Sequence, residues 1–164
     1  MKRHSGTRIT QRNLPQLFLK SRDCLMTHFR PILNHFGVTE QQWRVLRALD
    51  EHGPLEPHQI GAQCQIVSAS MAGVLARMEQ QGLIRRARIA TDQRRVLVTL
   101  AAKGDRIIGD IAPLIDQQYR HIEEAFGAPM LSALIAALEA FANADGEQVQ
   151  RVDLTAPALR PSRT

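Results

Sequence analysis

A basic turn between two strand-like segments constrains the fold of this sequence more than any other feature. Residues 86–100 read RARIATDQRRVLVTL, and with Arg85 five arginines surround the turn. Residues 83–89 and 95–100 carry the β-branched and alternating apolar residues that favour strands, and the polar residues 90–94 connect them. The pattern predicts a β-hairpin whose arginines lie on its strands and at its tip.

Elsewhere the sequence is typical of helices. Apolar residues recur every three or four positions through six segments, the spacing that aligns side chains along one helix face. Thr39 and Gln42 have the spacing of a capping box, and Ser68 is predicted to cap the fourth helix. The first predicted helix covers about 13–37, with Asn13 as its cap and Pro15 in its first turn. The others run from Thr39 to Gly53, over 57–64, from Ser68 to Gly82, through Ile107 to Phe126, and from Pro129 onwards.

The fourth helix, SASMAGVLARMEQQG, has two different faces. One face is apolar at the spacing i, i+3, i+4, i+7, which indicates packing against a core; its residues are Met71, Val74, Leu75 and Met78. The opposite face is nearly free of side chains, so that a packed helix or a nucleic-acid groove can approach it closely. That face consists of Ala69, Gly73, Ala76 and Gln80, flanked by Ser70 and Arg77.

The charge of the chain is unevenly distributed, although the formal net charge is only +5. Residues 1–22 carry six cations and no acid, and residues 84–103 carry six cations against Asp92 alone, a local charge of +5. Residues 116–148 carry six acids against Arg120, a local charge of −5. Concentrated positive charge indicates a polyanionic partner, and nucleic acid is the one we expect; the alternative is a solvated basic surface.

Composition argues against several classes of function. The 164 residues suit one domain with a sizeable core, and no apolar run reaches the roughly 18 residues that span a bilayer. The basic N-terminus precedes no apolar segment, so we expect no secretory signal. Cys24 and Cys64 lack metal-type spacing, and a reduced cytoplasmic setting is the simplest expectation. Metal-binding histidine motifs, phosphate-binding glycine loops and nucleophile elbows are missing from the sequence, so we expect no metal, cofactor or catalytic site.

The order of elements predicts a winged helix-turn-helix, a mainly α protein with a small β-hairpin wing (α+β). The third and fourth helices with their short connection resemble a helix-turn-helix, and the basic hairpin follows directly. We expect the fourth helix to enter a major groove and the hairpin to reach phosphates or a minor groove, with Asp92 orienting Arg94 or Arg95 by pairing. The predicted DNA contacts are Ser68, Ser70, Gly73 and Arg77 on the helix and Arg86, Arg94 and Arg95 on the hairpin.

Three segments resemble signatures of the MarR family of winged helix-turn-helix regulators. They are VTEQQWRVLRAL at 38–49, RMEQQGLIRR at 77–86 and DQRRVLVTLAAKG at 92–104. The resemblance covers about residues 13–143, and the wing segment with its distance from MEQQGLI is the most specific part. One departure is Ala101, where the family often has a threonine that caps the next helix. Within the family, residues 21–33 and 40–49 are most similar to the homoprotocatechuate-operon repressors.

The resemblance implies a homodimer, a palindromic operator and release from DNA by a small aromatic carboxylate. The dimer has independent support, because the first, fifth and sixth helices carry more apolar surface than a three-helix DNA-binding head can bury; the alternative is that they pack together within one chain. The expected division is a flexible basic N-terminus (1–12), a helical dimerisation region (13–37 and 101–146), a winged helix-turn-helix region (38–100) and a disordered tail (147–164).

The effector site is predicted around Arg22, beside the apolar stripe of the first helix. A guanidinium next to apolar side chains suits bidentate binding of a carboxylate; the alternatives are a salt bridge and a side chain lying along the surface. Trp43 can form a flat wall for an aromatic ring or belong to the core, and His28 can bond a ring hydroxyl or be structural. The remaining candidates are Met26, Phe29 and Arg44.

Three alternative functions stay open at the level of sequence. The first is oxidation sensing by a MarR-type repressor through Cys24, against an inert buried cysteine. The second is a non-specific architectural protein that coats nucleic acid, and the third is a module whose hairpin binds an acidic protein. The sequence names neither the effector nor the operator, and it leaves open whether the effector weakens or strengthens DNA binding.

Overall fold

The computed structural model describes residues 11–89 and 92–154, and within them it confirms the predicted class of six helices with a β-hairpin. The elements are α1 (Leu14–His35), α2 (Glu40–His52), α3 (Pro57–Cys64), α4 (Ser68–Gln80), β1 (Ile84–Ile89), β2 (Asp92–Leu100), α5 (Ala102–Phe126), α6 (Ala128–Ala142) and a 3-10 turn η1 (Gly146–Gln148). The predicted flexible N-terminus, apart from its last two residues, and the tail beyond residue 154 lie outside the described residues.

The chain divides into two compact units, residues 1–121 and 122–164. The first unit contains α1 to α4, the hairpin and most of α5. The second contains the end of α5, then α6 and η1. The boundary between the units therefore falls inside a helix.

Local side-chain bonds start the first two helices where the sequence predicted. The Asn13 side chain accepts a hydrogen bond from the Gln16 N–H at 3.1 Å, and Thr39 and Gln42 form a reciprocal capping box at 3.2 and 3.0 Å. The prediction that Ser68 caps α4 is wrong. The N-cap is Val67, whose backbone is extended, and Ser68 is already the first helical residue.

The core of the first unit lies between α2, α3, α4 and the hairpin, and α1 and α5 also contribute buried side chains. The predicted apolar face of α4 is confirmed, since Met71, Val74, Leu75 and Met78 are all buried. Burial of these side chains supplies the main driving force for packing the helices together. The most completely buried large side chains are Leu33, Val45, Leu46, Ile60, Leu75, Met78, Ile84, Val98 and Ile111.

Close backbone contacts fix the base of the hairpin. Strands β1 and β2 are antiparallel, with Ile84 opposite Leu100. The Ala101 N–H donates to the Leu83 carbonyl at 3.0 Å, which returns the chain to α5. Gly104 allows this approach, because a Cβ at that position would lie 2.1 Å from the same carbonyl oxygen. The wing root is thereby held against the start of α5.

Candidate nucleic-acid interface and ligand site

Helix α4 presents its small face to solvent. Ser68, Ser70, Gly73 and Arg77 are exposed, whereas the opposite side of the helix is buried. The turn between α3 and α4 is short because Gln65 adopts a left-handed conformation with φ 50°. The structure therefore has a helix-turn-helix whose second helix has an accessible face free of large side chains.

The tip of the hairpin contains an irregularity in its pairing. Arg88 lies opposite Val96 and Ile89 lies opposite Asp92, so residues 93–95 have no counterpart on β1. A bulge of this kind redirects the side chains that it carries. The Asp92 carboxylate accepts a hydrogen bond from the Arg94 backbone N–H at 3.0 Å. Asp92 thus orders the backbone that carries Arg94. Glu56 first, and then the charge of Asp92, raise the pKa of Arg95, so the expected interaction of Asp92 with a wing guanidinium is with Arg95 and acts through charge.

Two of the predicted DNA-contacting arginines are engaged by carboxylates of the same chain. Arg86 donates from Nε to Glu79 at 2.8 Å, and its backbone N–H donates to the same carboxylate at 3.1 Å. Arg95 donates from Nε to Glu56 at 3.0 Å. Hydrogen bonds from these guanidiniums lower the pKa of Glu79 and Glu56, so both carboxylates are ionised at neutral pH.

Arg77 and Arg94 differ from that pair. Both are exposed, and neither guanidinium forms an ion pair within residues 11–89 and 92–154. Arg77 lies on α4 one turn after Gly73, and its Nη1 lies 3.5 Å from the point where a Gly73 Cβ would be. The small face of the helix therefore lies next to a guanidinium that has no carboxylate partner in the described part of the chain.

A groove of about 770 Å³ lies between α3, α4 and the hairpin. Its lining is mainly apolar and includes one charged side chain, that of Arg86. None of the residues predicted for the effector site lines it. The lining residues are Pro57, His58, Gly61, Ala62, Ile66, Val67, Ser68, Met71, Ala72, Leu75, Arg86 and Val96.

The predicted effector residues lie on α1 and α2, and both arginines among them form hydrogen bonds within the chain. Arg22 donates to Glu40 at 2.6 Å, and Arg44 donates to the Cys64 carbonyl at 2.5 Å. The Arg44 Nε is buried and has no hydrogen-bond partner among the described residues. Of the two, only Arg22 has the exposure that a diffusing carboxylate needs, with 51% of its side chain accessible.

Glu40 is the centre of an ion-pair network that sequence reasoning missed. Its carboxylate also accepts from Arg30 Nε at 2.6 Å, and Arg30 pairs in turn with Asp23. Hydrogen bonds from Arg30 and Arg22 lower the pKa of Glu40, and those from Asp23 and Glu40 raise the pKa of Arg30. We call Arg22, Asp23, Arg30 and Glu40 the α1–α2 network.

The other candidates for the effector site range from buried to exposed. Phe29 is buried and its ring contacts Tyr119 of α5, with ring centroids 4.9 Å apart and planes tilted by 51°. Met26 and Trp43 are half-buried, and His28 is exposed. Tyr119 is half exposed and was also missed, because no local pattern links a residue in α5 to one in α1.

The two cysteines are in different environments. Cys24 is exposed, whereas Cys64 is buried. Burial raises the pKa of the Cys64 thiol, which keeps it protonated and unreactive at neutral pH. Of the two thiols, that of Cys24 is the accessible one.

Similarity to known proteins decides the family. Residues 38–96 match the MarR family. The chain is 40% identical over 109 residues to the HTH-type transcriptional regulator FarR of Neisseria gonorrhoeae, covering 66% of this chain and 75% of that protein. It is 35% identical over 123 residues to the homoprotocatechuate degradative operon repressor of Escherichia coli, covering 75% and 83%. The chain belongs to the MarR family.

A solved structure supports the same conclusion for the fold. The crystal structure of NadR in complex with 4-hydroxyphenylacetate matches this MarR-family chain with a TM-score of 0.72 and 35% identity, over 85% of this chain and 99% of that one. The winged helix-turn-helix fold and the resemblance to the homoprotocatechuate repressor, both predicted from the sequence, are confirmed.

The described part of this MarR-family chain offers little support for other kinds of site. No group of three or more metal-ligating side chains occurs among the described residues. Among the same residues, no single helix is both long enough and apolar enough to cross a membrane; only α5 and α6 counted together reach that length and composition. The relatives that match over most of their length are transcriptional regulators.

Proposed function

We propose that this MarR-family protein is a DNA-binding transcriptional repressor rather than an enzyme, acting in the cytoplasm on an operon for aromatic-compound catabolism. The observation that carries the proposal is the exposed small face of α4 beside Arg77. The bulge that carries Arg94 lies on the hairpin that follows. Small side chains let the helix approach base edges in a major groove, and a guanidinium without an internal carboxylate can bind phosphate. Ser68 and Ser70 supply hydroxyls at the start of the same helix.

The proposed active species is a homodimer. Helix α1 exposes Leu17 and Leu19 at 53% and 63%. In the second unit, α6 is buried at none of its positions and exposes five large apolar side chains: Met130, Leu134, Ile135, Leu138 and Phe141. Exposed apolar surface of this extent is typical of an oligomer interface. We therefore propose that residues 13–37 and 101–146 form the dimerisation region and that residues 38–100 bind DNA.

The proposed effector is a small aromatic carboxylate that releases the protein from its operator. Support comes from the similarity to NadR, whose structure contains 4-hydroxyphenylacetate, and to a homoprotocatechuate degradative operon repressor. In this chain, Arg22 is accessible and lies on the same helix as Phe29. We propose Arg22 as the carboxylate partner, with Met26, His28, Phe29, Trp43 and Arg44 around the ring.

A footprinting experiment tests the DNA-binding proposal. We expect the purified protein to protect one short palindrome, with half-sites about one helical turn, roughly 10 bp, apart. Protection should persist against an excess of random duplex at matched salt. Equal affinity for any duplex supports instead an architectural protein. No affinity for duplex DNA, with binding to an acidic protein that disappears in Arg94→Ala/Arg95→Ala, supports a protein-binding module.

A ligand screen tests the effector proposal. A ligand that binds only the native dimer raises its melting temperature, so a thermal-shift panel of aromatic acids that includes 4-hydroxyphenylacetate should give hits. The hits should also displace the protein from the palindrome. A Cys24→Ser variant is expected to keep this response. If peroxide releases the wild type but not Cys24→Ser, and the acids have no effect, the protein is an oxidation sensor instead.

A further inference from the structure

Strand β2 of the wing forms hydrogen bonds with the two residues just before α3. Leu55 exchanges both backbone hydrogen bonds with Val98, at 3.1 and 2.8 Å. Three residues nearer the tip, the Arg95 guanidinium donates from Nε to Glu56 at 3.0 Å and makes a second bond from Nη2. Because Leu55 and Glu56 are adjacent, both contacts fix β2 to one short stretch of chain.

Glu56 is the fixed partner in its pair. Only 14% of its side chain is exposed, compared with 54% for Arg95. The Glu56 backbone N–H donates to the Gln59 side chain at 2.8 Å, which ties the residue into the first turn of α3. An ordered, nearly buried carboxylate that holds an exposed guanidinium sets the position of the arginine and of the strand that carries it.

The neighbouring arginine in the same bulge is held differently. The Arg94 backbone is fixed by Asp92, whereas its guanidinium has no ion-pair partner in the described part of the chain. Two consecutive arginines therefore differ in what they can bind. Arg95 already has a carboxylate, and Arg94 is available to an external anion.

We propose that Glu56 and Arg95 form a brace that sets the angle of the wing, and that Arg94 alone of these two arginines contacts DNA. The inference rests on the proposed DNA binding. It gives Arg95, which the sequence predicted as a second DNA contact, a different role. Glu56 becomes a positioning residue for the wing.

A brace and a purely electrostatic role predict opposite effects when the Glu56 charge is removed. A carboxylate near DNA repels phosphates, so its neutralisation alone strengthens binding. If Glu56 holds the wing, its neutralisation lets the unbound wing adopt additional angles. Binding then weakens because the wing must be ordered before Arg94 makes the same contact with DNA. Glu56→Gln separates the two because it removes the charge and keeps the size of the side chain.

The test measures the affinity of the full chain for its footprinted duplex over a range of salt concentrations. We expect Glu56→Gln and Arg95→Gln each to weaken binding about threefold to fivefold, the scale of one partly exposed ion pair. The slope of log affinity against log salt should stay unchanged in both. Arg94→Ala should lower that slope by about 0.9 for each DNA phosphate that is no longer neutralised. Glu51→Gln on α2 is the control for loss of one exposed negative charge.

Two further measurements complete the test. The exchanged pair, Glu56→Arg with Arg95→Glu, is expected to recover the affinity that the single variants lack. Hydrogen exchange without DNA should show faster exchange of the β2 amides in Glu56→Gln than in the wild type. Tighter binding by Glu56→Gln, or a salt slope that falls as much in Arg95→Gln as in Arg94→Ala, overturns the brace. If the wild type binds all duplexes with equal affinity, the proposed repressor function is refuted. If the β2 amides of Glu56→Gln exchange at the wild-type rate, the brace alone is refuted.

Discussion

The two arginine-containing regions of the first unit differ in how their charge is used. On the wing and α4, Arg94 and Arg77 are exposed and have no internal carboxylate among the described residues. In the α1–α2 network, Arg22 shares the carboxylate of Glu40 with a second arginine. An arginine in the sequence is therefore not yet a binding site, because its availability depends on the carboxylates that the fold places beside it.

This contrast has a direct consequence for the two proposed ligands. A DNA phosphate can bind Arg94 without breaking an ion pair within the described chain. An effector carboxylate at Arg22 has to share or replace Glu40, which holds that guanidinium at 2.6 Å. DNA affinity should therefore respond strongly to loss of one arginine, and effector affinity should reflect a balance between two anions.

Loss of the Arg94 guanidinium is expected to have the largest effect. In Arg94→Ala, each protomer of the proposed dimer lacks an arginine–DNA interaction near the low end of about 1–3 kcal/mol, and the two losses together should lower affinity for the palindrome about a hundredfold. A filter-binding or fluorescence-anisotropy titration measures this change. Arg106→Ala, which removes one exposed positive charge from α5, is the matched control. Equal reductions in the two variants would mean that only overall charge matters.

Loss of the Arg22 guanidinium tests the other region. Arg22→Ala should weaken effector binding by about 2 kcal/mol, because the variant cannot form the charge-assisted hydrogen bond to the carboxylate. The affinity for DNA without effector should remain within a factor of two of the wild type. Calorimetry with 4-hydroxyphenylacetate measures the first quantity, with Lys20→Ala as the control on the same helix. If effector affinity is unchanged while the other predicted residues matter, the carboxylate binds elsewhere.

The sequence predicted the parts of these regions that depend on local spacing. The buried face of α4 follows from a periodicity within eight residues, and the capping box of Thr39 and Gln42 follows from a separation of three. The ion pairs do not follow in this way. Glu56 and Arg95 are 39 residues apart, and Arg22 and Glu40 are 18 apart. Only the packing of the elements brings such residues together.

The Ser68 prediction failed for a related reason. A serine before an apolar run is a typical cap, and that pattern places the first helical residue at 69. The helix begins one residue earlier, at Ser68, because Val67 is the last residue with an extended backbone. The sequence leaves a salt bridge open at Arg22 but does not give the α1–α2 network, since no local pattern singles out Glu40 from the other acids. The sequence likewise does not separate the proposed roles of Arg94 and Arg95, because the two residues are adjacent and identical.

Gln42 physically connects the two regions and gives an intermediate effect. Gln42 is 6% exposed and completes the capping box of Thr39 at the start of α2. Its side chain also donates to the side chain of Gln81, the C-cap of α4, at 2.7 Å. Gln42→Ala should lower the free energy of unfolding by about 1–2 kcal/mol, because the Thr39 N–H loses its partner in the capping box and Gln81 loses its partner on α2. Urea unfolding measures the change, with the exposed Gln63→Ala of α3 as control. A change as small as that of the control would mean that the connection does not contribute to stability.

The pH dependence of stability gives the smallest expected effect and tests whether the α1–α2 network forms in solution. Hydrogen bonds from Arg30 and Arg22 lower the pKa of Glu40 in the folded protein, so its ion pairs stabilise the fold above the ordinary carboxyl pKa of about 4.3. That contribution is lost as the pH falls from the ordinary value through the lowered one, because protonation removes the negative charge.

The measurement compares urea unfolding of the wild type and Glu40→Gln at several pH values. The wild type should be more stable than the variant near neutral pH by no more than about 1 kcal/mol, since the pairs are partly exposed, and the difference should shrink as the solution is acidified. Glu56 and Glu79 also have lowered pKa values, so both proteins lose stability in acid and only their difference reports on Glu40. A difference that stays constant with pH would show that Glu40 does not hold its arginines in solution. Arg22 would then be as available to an external anion as Arg94, and the contrast between the two regions would disappear.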